Sequence, residues 1–590
     1  MKVIIATPPG RFPGNKYPCP FPSRWTSVAE NYPVFIFYPY QLAYLSTLLK
    51  QDLPQLHIKM IDGTWLRFDV AEYVRFLEIE APDYLVFETD TVTYKQSLRV
   101  ALEIKKKLGT KIIMTGQYAT VFPEKVLQDG CDYACIGEYE ETVRDLLRGD
   151  EAKNIQGLYP NSYRTILDIN SLPDPEDEDI SRIDYSYSGA ARWLYYREIE
   201  MFASRGCPYS CDFCVAGSVY YEKTNWRPRE PKRIIAEIEA LRKKYPRMQG
   251  VFFDEETHIV KKKYTLELCE AIIRSGNNDL YYDAMANYQL LDEEILIALK
   301  KAGYYKLRVG IESIDESTGS VIGTKTDPNH LENILRIAKK LGIEMYGSFI
   351  VGAAGSSKEA DSKTIDFGVR LISEGFLSSW QASIAVPHPG TPFYDEAIKQ
   401  SWLQTDDIEL FNGSLDGVVS YPHYSNKEIK ETEQIMRERF IKANPDISGT
   451  DIRSAAREET VLSDEEQKTV EQETELLAKL FQEHKYREVV DKGEELLRKF
   501  PYSLNARHIV ASSYKFLAET ENAIAGFEFI VNACDDFGDA LNFASGAHFH
   551  LGDIFLKQGK KEKALRNFKL CMHLNPNHQS ARQNFWNLIQ

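Results

Sequence analysis

Short apolar runs alternate with amphipathic segments over residues 1–150. Lys2–Ala6, His57–Ile61, Tyr84–Glu88, Lys111–Thr115 and Tyr133–Ile136 have the length and apolar character of buried strands. Between them Tyr40–Lys50, Val70–Ile79, Lys95–Leu108, Pro123–Gln128 and Glu141–Arg148 carry helical periodicity, the first opened by Pro39. Strands alternating with helices predict a doubly wound parallel sheet, an α/β fold whose ligand sits beyond the carboxyl ends of the strands. Those ends are Thr7-Pro8-Pro9-Gly10, Asp62-Gly63, Thr89-Asp90-Thr91, Gly116-Gln117-Tyr118-Ala119-Thr120 and Gly137-Glu138-Tyr139-Glu140. Small and hydroxyl residues there permit close approach of a large polar ligand. The pattern alone says only a flavodoxin-like sheet with some ligand and leaves a response-regulator-type or interaction domain as the alternative.

Residues 151–198 read as a connector. The run Leu172-Pro173-Asp174-Pro175-Glu176-Asp177-Glu178-Asp179 is expected to be solvated, and Tyr185, Tyr187, Trp193, Tyr195 and Tyr196 to pack between domains rather than to form a substrate cage. From 199 to 420 the alternation resumes. Strands are predicted at Ile199–Ala203, Gly250–Asp254, Tyr281–Ala286, Lys306–Ile311, Glu344–Val351 and Ser379–Val386. Helices are predicted at Lys232–Lys244, Tyr264–Ser275, Asp292–Ala302, Asn329–Leu341 and Lys358–Ser373. Such a series suits a partial (β/α)6 barrel, with its chemistry at the C-terminal ends of the strands.

Beyond this the pattern is helical, with Asn426–Lys442 amphipathic and 444–465 a polar linker, so that 421–465 joins the barrel to residues 466–590. There Ala511, Tyr514, Ala523 and Phe527 recur with the same offsets as Gly552, Phe555, Ala564 and Phe568. A degenerate earlier unit holds Leu477, Leu480 and Val489, Pro501 and Pro576 end units, and Asn577–Gln590 would cap them. These units resemble tetratricopeptide repeats, helix pairs with small residues where the helices cross. Their concave face would hold a protein partner or, equally, help close the active site.

Length and composition narrow the function. A chain of 590 residues is too long for one core. Its net charge of −16 argues against nucleic acid as the main partner. The longest apolar stretch, Val34–Leu49, is broken by Pro39 and carries Gln41, so no membrane span is expected. Nine cysteines and a strand-like start predict a reducing, cytoplasmic location.

Three of those cysteines, Cys207, Cys211 and Cys214, stand in Ser204-Arg205-Gly206-Cys207-Pro208-Tyr209-Ser210-Cys211-Asp212-Phe213-Cys214 at the spacing C-x3-C-x2-C. Three thiolates at this spacing can hold three irons of a [4Fe-4S] cube and leave one iron open. A structural zinc site would want a fourth ligand nearby. Gly206 and Pro208 read as turn residues, Arg205 as a cation beside an anionic cluster, and Phe213 as an aromatic next to the last ligand.

This loop closely resembles that of the radical S-adenosylmethionine (SAM) superfamily. The sheet before it and the Gly137-Glu138-Tyr139-Glu140 turn resemble the cobalamin-dependent branch, which includes methyltransferases and the anaerobic magnesium-protoporphyrin monomethyl ester cyclase. The resemblance implies a flavodoxin-like cobalamin domain over 1–150, with contacts from Thr7, Pro8, Thr89, Thr91, Gly116, Gln117, Tyr118, Gly137 and Glu138. The branch's G-G-x-H-x-T appears here as Thr115 to Thr120, without its His. Many cobalamin domains place a cobalt-ligating His after the first strand; here Thr7-Pro8-Pro9-Gly10 stands there and His57 is a strand residue, so no histidine is expected on cobalt.

In the barrel the resemblance implies SAM contacts from Phe213, an acid of Asp254-Glu255-Glu256 with Glu255 favoured, Glu312 and Ser313 of Gly310-Ile311-Glu312-Ser313, and Gly352 of Gly352-Ala353-Ala354-Gly355-Ser356. His388, in Pro387-His388-Pro389-Gly390-Thr391-Pro392, is a candidate substrate contact or a plain turn residue. The implied cofactors are a [4Fe-4S] cluster, SAM and cobalamin, with an electron donor of flavodoxin or ferredoxin type. The implied reaction passes a SAM-derived methyl group through methylcobalamin to an unactivated carbon, or phosphorus, of a small-molecule or lipid-like substrate. The alternatives are cyclisation or rearrangement without net methylation, and a non-catalytic repeat scaffold.

Overall fold

The computed structural model describes all residues except 15, 20–26, 31–35, 167, 188–195, 222–224, 413–416, 445–461 and 535–540. Most of the expected polar linker, and Trp193 and Tyr195 of the aromatic cluster, lie outside the described residues. The chain divides into two compact units: Met1–Thr64 with Phe68–Ser186 and Arg197–Asp451, and Trp65–Arg67 with Tyr187–Tyr196 and Ile452–Gln590.

The first unit opens with a five-stranded parallel sheet. Its strands are β1 (Lys2–Ala6), β2 (His57–Ile61), β3 (Tyr84–Glu88), β4 (Lys111–Thr115) and β5 (Tyr133–Ala134). They lie in the order β2-β1-β3-β4-β5, which puts the topological switch point between β1 and β3. Val3, Ile4, Ile5, Leu85, Val86, Phe87, Ile112 and Ile113 are wholly buried, because helices cover both faces of such a sheet.

Three local features depart from the sequence reading. Strand β5 stops before Ile136, since Cys135 and Gly137 pair instead with Leu158 and Arg164 of the connector. Gly116–Val121 is a helix. The acidic run is docked in part: Asp174 and Glu178 are exposed, but Glu176 is buried, takes the Ser46 hydroxyl at 2.6 Å and pairs with Lys50 at 2.7 Å. Asp179 accepts the Met60 N–H at 2.9 Å. Composition alone could not reveal that a helix with Lys50 and Ser46 would offer partners.

The same unit continues into a six-stranded parallel sheet. It is built from β6 (Glu198–Met201), β7 (Gly250–Phe253), β8 (Tyr281–Ala286), β9 (Tyr304–Glu312), β10 (Glu344–Val351) and β11 (Ser379–Ile384). They run in sequential order from β6 to β11. One face packs Val251, Phe253, Leu307, Val309, Phe349 and Trp380 against the helices. The other carries polar side chains that pair across strands: Asp283 with Arg308 at 2.9 Å, Tyr346 with Gln381 at 2.7 Å, and Glu312 with Ser348 at 2.9 Å.

The second unit is a run of helices between Asp464 and Ile589. Ala511, Ala523, Phe527, Ala564 and Phe568 are buried in it. Added Cβ atoms at Gly526 and Gly552 would come within 2.7 Å of Ala511 and 2.6 Å of Phe568, so each glycine leaves the room that a side chain of the neighbouring helix fills. No described helix is long and apolar enough to cross a membrane.

Candidate active site

The cysteine loop leaves β6 through Ser204–Arg205, which pairs antiparallel with Arg227–Pro228. At Gly206 (φ +87°) a Cβ would stand 2.6 Å from the Asn225 carbonyl oxygen, so only glycine passes this crossing. Further along, the Asp212 N–H donates to Ile322 O at 3.1 Å and the Phe393 N–H to Asp212 O at 3.1 Å, pinning the loop to the short helices Glu316–Ile322 and Pro392–Lys399 that follow β9 and β11.

Cys207, Cys211 and Cys214 are all partly accessible, whereas Cys131, Cys135, Cys269 and Cys571 are buried. Among the described residues no His, Cys, Asp or Glu group gathers to hold a single metal ion. A cube makes a different demand, one thiolate per iron. Burial and the neighbouring Cys214 and Cys207 raise the Cys211 thiol well above its ordinary value. Mutual repulsion of this kind is what a cationic iron cluster relieves, so the donor set fits one.

The acids after β7 separate. Glu256 joins the cysteine loop, accepting the Gly206 N–H at 3.2 Å and the Tyr221 hydroxyl at 2.8 Å. Glu255, favoured from the sequence, is fully buried and faces His258 Nδ1 at 2.7 Å, whose Nε2 lies 2.7 Å from the Tyr304 hydroxyl.

At the end of β9 a register shift between Gly310 and Glu312, with Glu312 at φ +58°, turns the Glu312 carboxyl to Ser348. Burial pushes this carboxyl up to about 7. Ser313 is buried and lies 3.3 Å from the Thr364 hydroxyl. Gly352 was expected to give its backbone to a ligand, yet its N–H donates to Asp361 at 2.8 Å and its carbonyl accepts from Tyr421 at 2.9 Å. Its missing side chain makes room for Ile429, 2.5 Å from an added Cβ. Phe213 packs on the barrel core, and His388 is buried.

The carboxyl edge of the first sheet meets this mouth. Arg205, expected as a cation beside an anionic cluster, is buried between Glu138 at 3.2 Å and Glu140 at 2.5 Å, and Arg227 reaches Glu138 at 2.7 Å. Gln117 donates to Pro389 O at 3.3 Å and accepts from Thr91 at 3.1 Å. At Gly390 (φ +87°) a Cβ would be 2.6 Å from Val121.

Of the expected cobalamin contacts, Thr7, Pro8 and Thr89 line one cleft at the switch point, with Asp62, Thr64, Glu88 and Asp90. Thr91, Gln117 and Glu138 belong instead to the junction with the barrel. Tyr118 stacks on Tyr94 with centroids 3.7 Å apart. The Gly116 turn lies against Thr89 O, and Gly137 donates to Thr120 at 3.1 Å. Sequence reading placed Asp62 at a strand end without naming it as a contact, and it missed Glu88 and the Arg205 network; the position of Glu88 at the end of its strand was the available signal. The hydroxyls and acids of the cleft suit a corrinoid, whose rim is edged with amides.

Comparison with known proteins agrees with this geometry. The sequence model of the B12 binding domain matches residues 31–147, and that of the radical SAM superfamily matches residues 201–368. An uncharacterized methyltransferase of Pyrococcus horikoshii is 26% identical over 68% of this chain and 87% of its own length. The anaerobic magnesium-protoporphyrin IX monomethyl ester cyclase of Cereibacter sphaeroides is 25% identical over 60% of this chain and 57% of its own. Among solved structures, the radical SAM methyltransferase TsrM of Kitasatospora setae, with cobalamin and a [4Fe-4S] cluster bound, has a TM-score of 0.52 at 18% identity, over 68% of this chain and 79% of that one. That likeness concerns the fold. The chain thus carries a B12 binding domain followed by a radical SAM domain, and it is an enzyme whose cofactors are a [4Fe-4S] cluster, SAM and cobalamin.

Proposed function

We propose that the enzyme transfers a SAM-derived methyl group to an unactivated carbon, or to phosphorus, of a small-molecule or lipid-like substrate. The observation that carries this reading is the meeting of the accessible cysteine loop and the carboxyl edge of the first sheet across Arg205, Glu138 and Glu140. The methyltransferase names of relatives support it. When bound, the cluster and SAM supply radical chemistry, and cobalamin supplies a methyl carrier.

The chain's own residues hold and orient. Cys207, Cys211 and Cys214 would ligate the cluster, with Glu256 fixing their loop through Gly206. Glu312, partly exposed beside Ser348, would hydrogen-bond SAM. Thr7, Pro8 and Thr89 would line the cobalamin cleft. Arg308, Gln381 and Ser348 on the polar face of β9 to β11 favour a substrate with hydrogen-bonding groups. We assign residues 1–150 to the cobalamin domain, 199–420 to the radical SAM barrel and 466–590 to tetratricopeptide-like repeats that recruit a protein partner or cap the site. Cytoplasmic location and a flavodoxin- or ferredoxin-type donor complete the proposal.

The test uses anaerobically purified protein reconstituted with iron, sulfide and cobalamin, then reduced with methyl-deuterated SAM. Mass spectrometry that finds the deuterated methyl group on cobalamin together with S-adenosylhomocysteine supports methyl transfer. Formation of 5'-deoxyadenosine with no methyl on retained cobalamin would favour the cyclase-type reaction to which the similarity with the magnesium-protoporphyrin enzyme points.

A further inference from the structure

The cleft at the switch point contains one acid whose chemistry is not used up within the protein. Its other polar groups are satisfied internally. Asp62 takes the Thr7 and Tyr185 hydroxyls, each at 2.6 Å. Asp90 accepts Val92 N–H at 3.0 Å and Thr93 N–H at 2.9 Å, and Thr64 donates to Pro8 O at 2.9 Å. Glu88, the last residue of β3, lines the same cleft at 6% exposure, and its Oε1 has no hydrogen-bond partner. The Gly116 turn holds it in place: a Cβ there would stand 2.9 Å from Glu88 Cγ. A buried carboxyl oxygen left without a partner costs about 1–3 kcal/mol, which a ligand supplying that partner would recover.

We propose that the Glu88 carboxyl holds a primary carboxamide of the bound corrinoid. This rests on the placement of cobalamin at the carboxyl edge of the first sheet. The surroundings decide which form of the acid serves. Burial, Glu140 and Asp90 push Glu88 up to about 8, while a hydrogen bond from the Tyr139 hydroxyl and the charge of Arg205 act the other way. Tyr220 also faces it and adds no charge near neutrality. Arg205 is committed to Glu138 and Glu140. At neutral pH the acid is therefore protonated. A carboxylic acid can donate its O–H to an amide carbonyl and accept the amide N–H in one planar pair, whereas a carboxylate can only accept.

The test is titration of hydroxocobalamin into cobalamin-free protein, followed by visible absorbance and by retention on desalting, at about pH 6.5 and about pH 9. The wild type is expected to bind about tenfold more weakly at the higher pH, where the acid loses its proton. Glu88→Gln, whose amide makes the same planar pair, is expected to bind equally at both pH values. Glu88→Leu is expected to bind about tenfold more weakly than wild type at the lower pH. Unchanged affinity in Glu88→Leu, or a wild-type pH dependence persisting in Glu88→Gln, would overturn the assignment of Glu88. A wild type that retains no hydroxocobalamin would overturn the placement of cobalamin itself.

Discussion

The guanidinium of Arg205 lies 2.5 Å from a carboxylate oxygen of Glu140, both side chains being buried. Arg205 stands two residues before the first loop cysteine, and Glu140 ends the Gly137-Glu138-Tyr139-Glu140 turn beyond β5. The pair, completed by Glu138, joins the two sheets at the point where both present their carboxyl ends. Removing one partner leaves buried charges without compensation, at a cost of about 3–5 kcal/mol. Arg205→Ala should therefore lower the melting temperature of cofactor-free protein markedly. Arg205→Lys should recover only part of the loss, because an ammonium lacks the planar fork that reaches both acids.

Cluster loading should distinguish cysteines by accessibility. Single alanine variants of Cys207, Cys211 or Cys214 are expected to lose most bound iron and sulfide after reconstitution. Cys269→Ala, which alters a buried thiol in the barrel core, should retain them. Equal iron content in Cys211→Ala and wild type would refute the loop as the cluster site.

Gly390 is doubly constrained, by φ +87° and by Val121 and Val219 at 2.6 and 2.8 Å from an added Cβ. Gly390→Ala should destabilise by about 1–3 kcal/mol from crowding, beyond its backbone strain. Adding Val121→Ala should recover part of the crowding loss and none of the backbone loss, a difference visible in denaturation of the double variant.

His388 predicts an acid sensitivity. Burial pulls its pKa from 6.5 down to about 4, so the folded protein keeps it neutral while the unfolded chain takes up a proton. Its contribution is thus present above pH 6.5 and is lost as pH falls toward 4, at about 1.4 kcal/mol per pH unit. Melting temperatures of His388→Gln and wild type, measured in cofactor-free protein, should converge as pH falls from about 6.5 to about 5. A constant difference would refute the neutral buried histidine.

Much of this protein is determined by local pattern. Strand-length runs separated by amphipathic helices specify both parallel sheets, the strands of the first being apolar on both faces and those of the second alternating an apolar face toward the helices with a polar one. The cysteine spacing specifies the cluster loop, because three thiolates this close along the chain can reach three irons of one cube. What tertiary structure alone decided are the long-range choices among equivalent polar groups. Nothing in Asp254-Glu255-Glu256 tells which acid reaches the cysteine loop; the burial of His258 drew Glu255 inward and left Glu256 for Gly206. Gly352 looked like a ligand-facing glycine, yet its requirement comes from Ile429, a residue far along the chain. Arg205 and the acidic run around Glu176 found partners from segments brought near only by folding. A polar side chain's partner depends on which elements pack beside it, and sequence periodicity carries burial but not that adjacency.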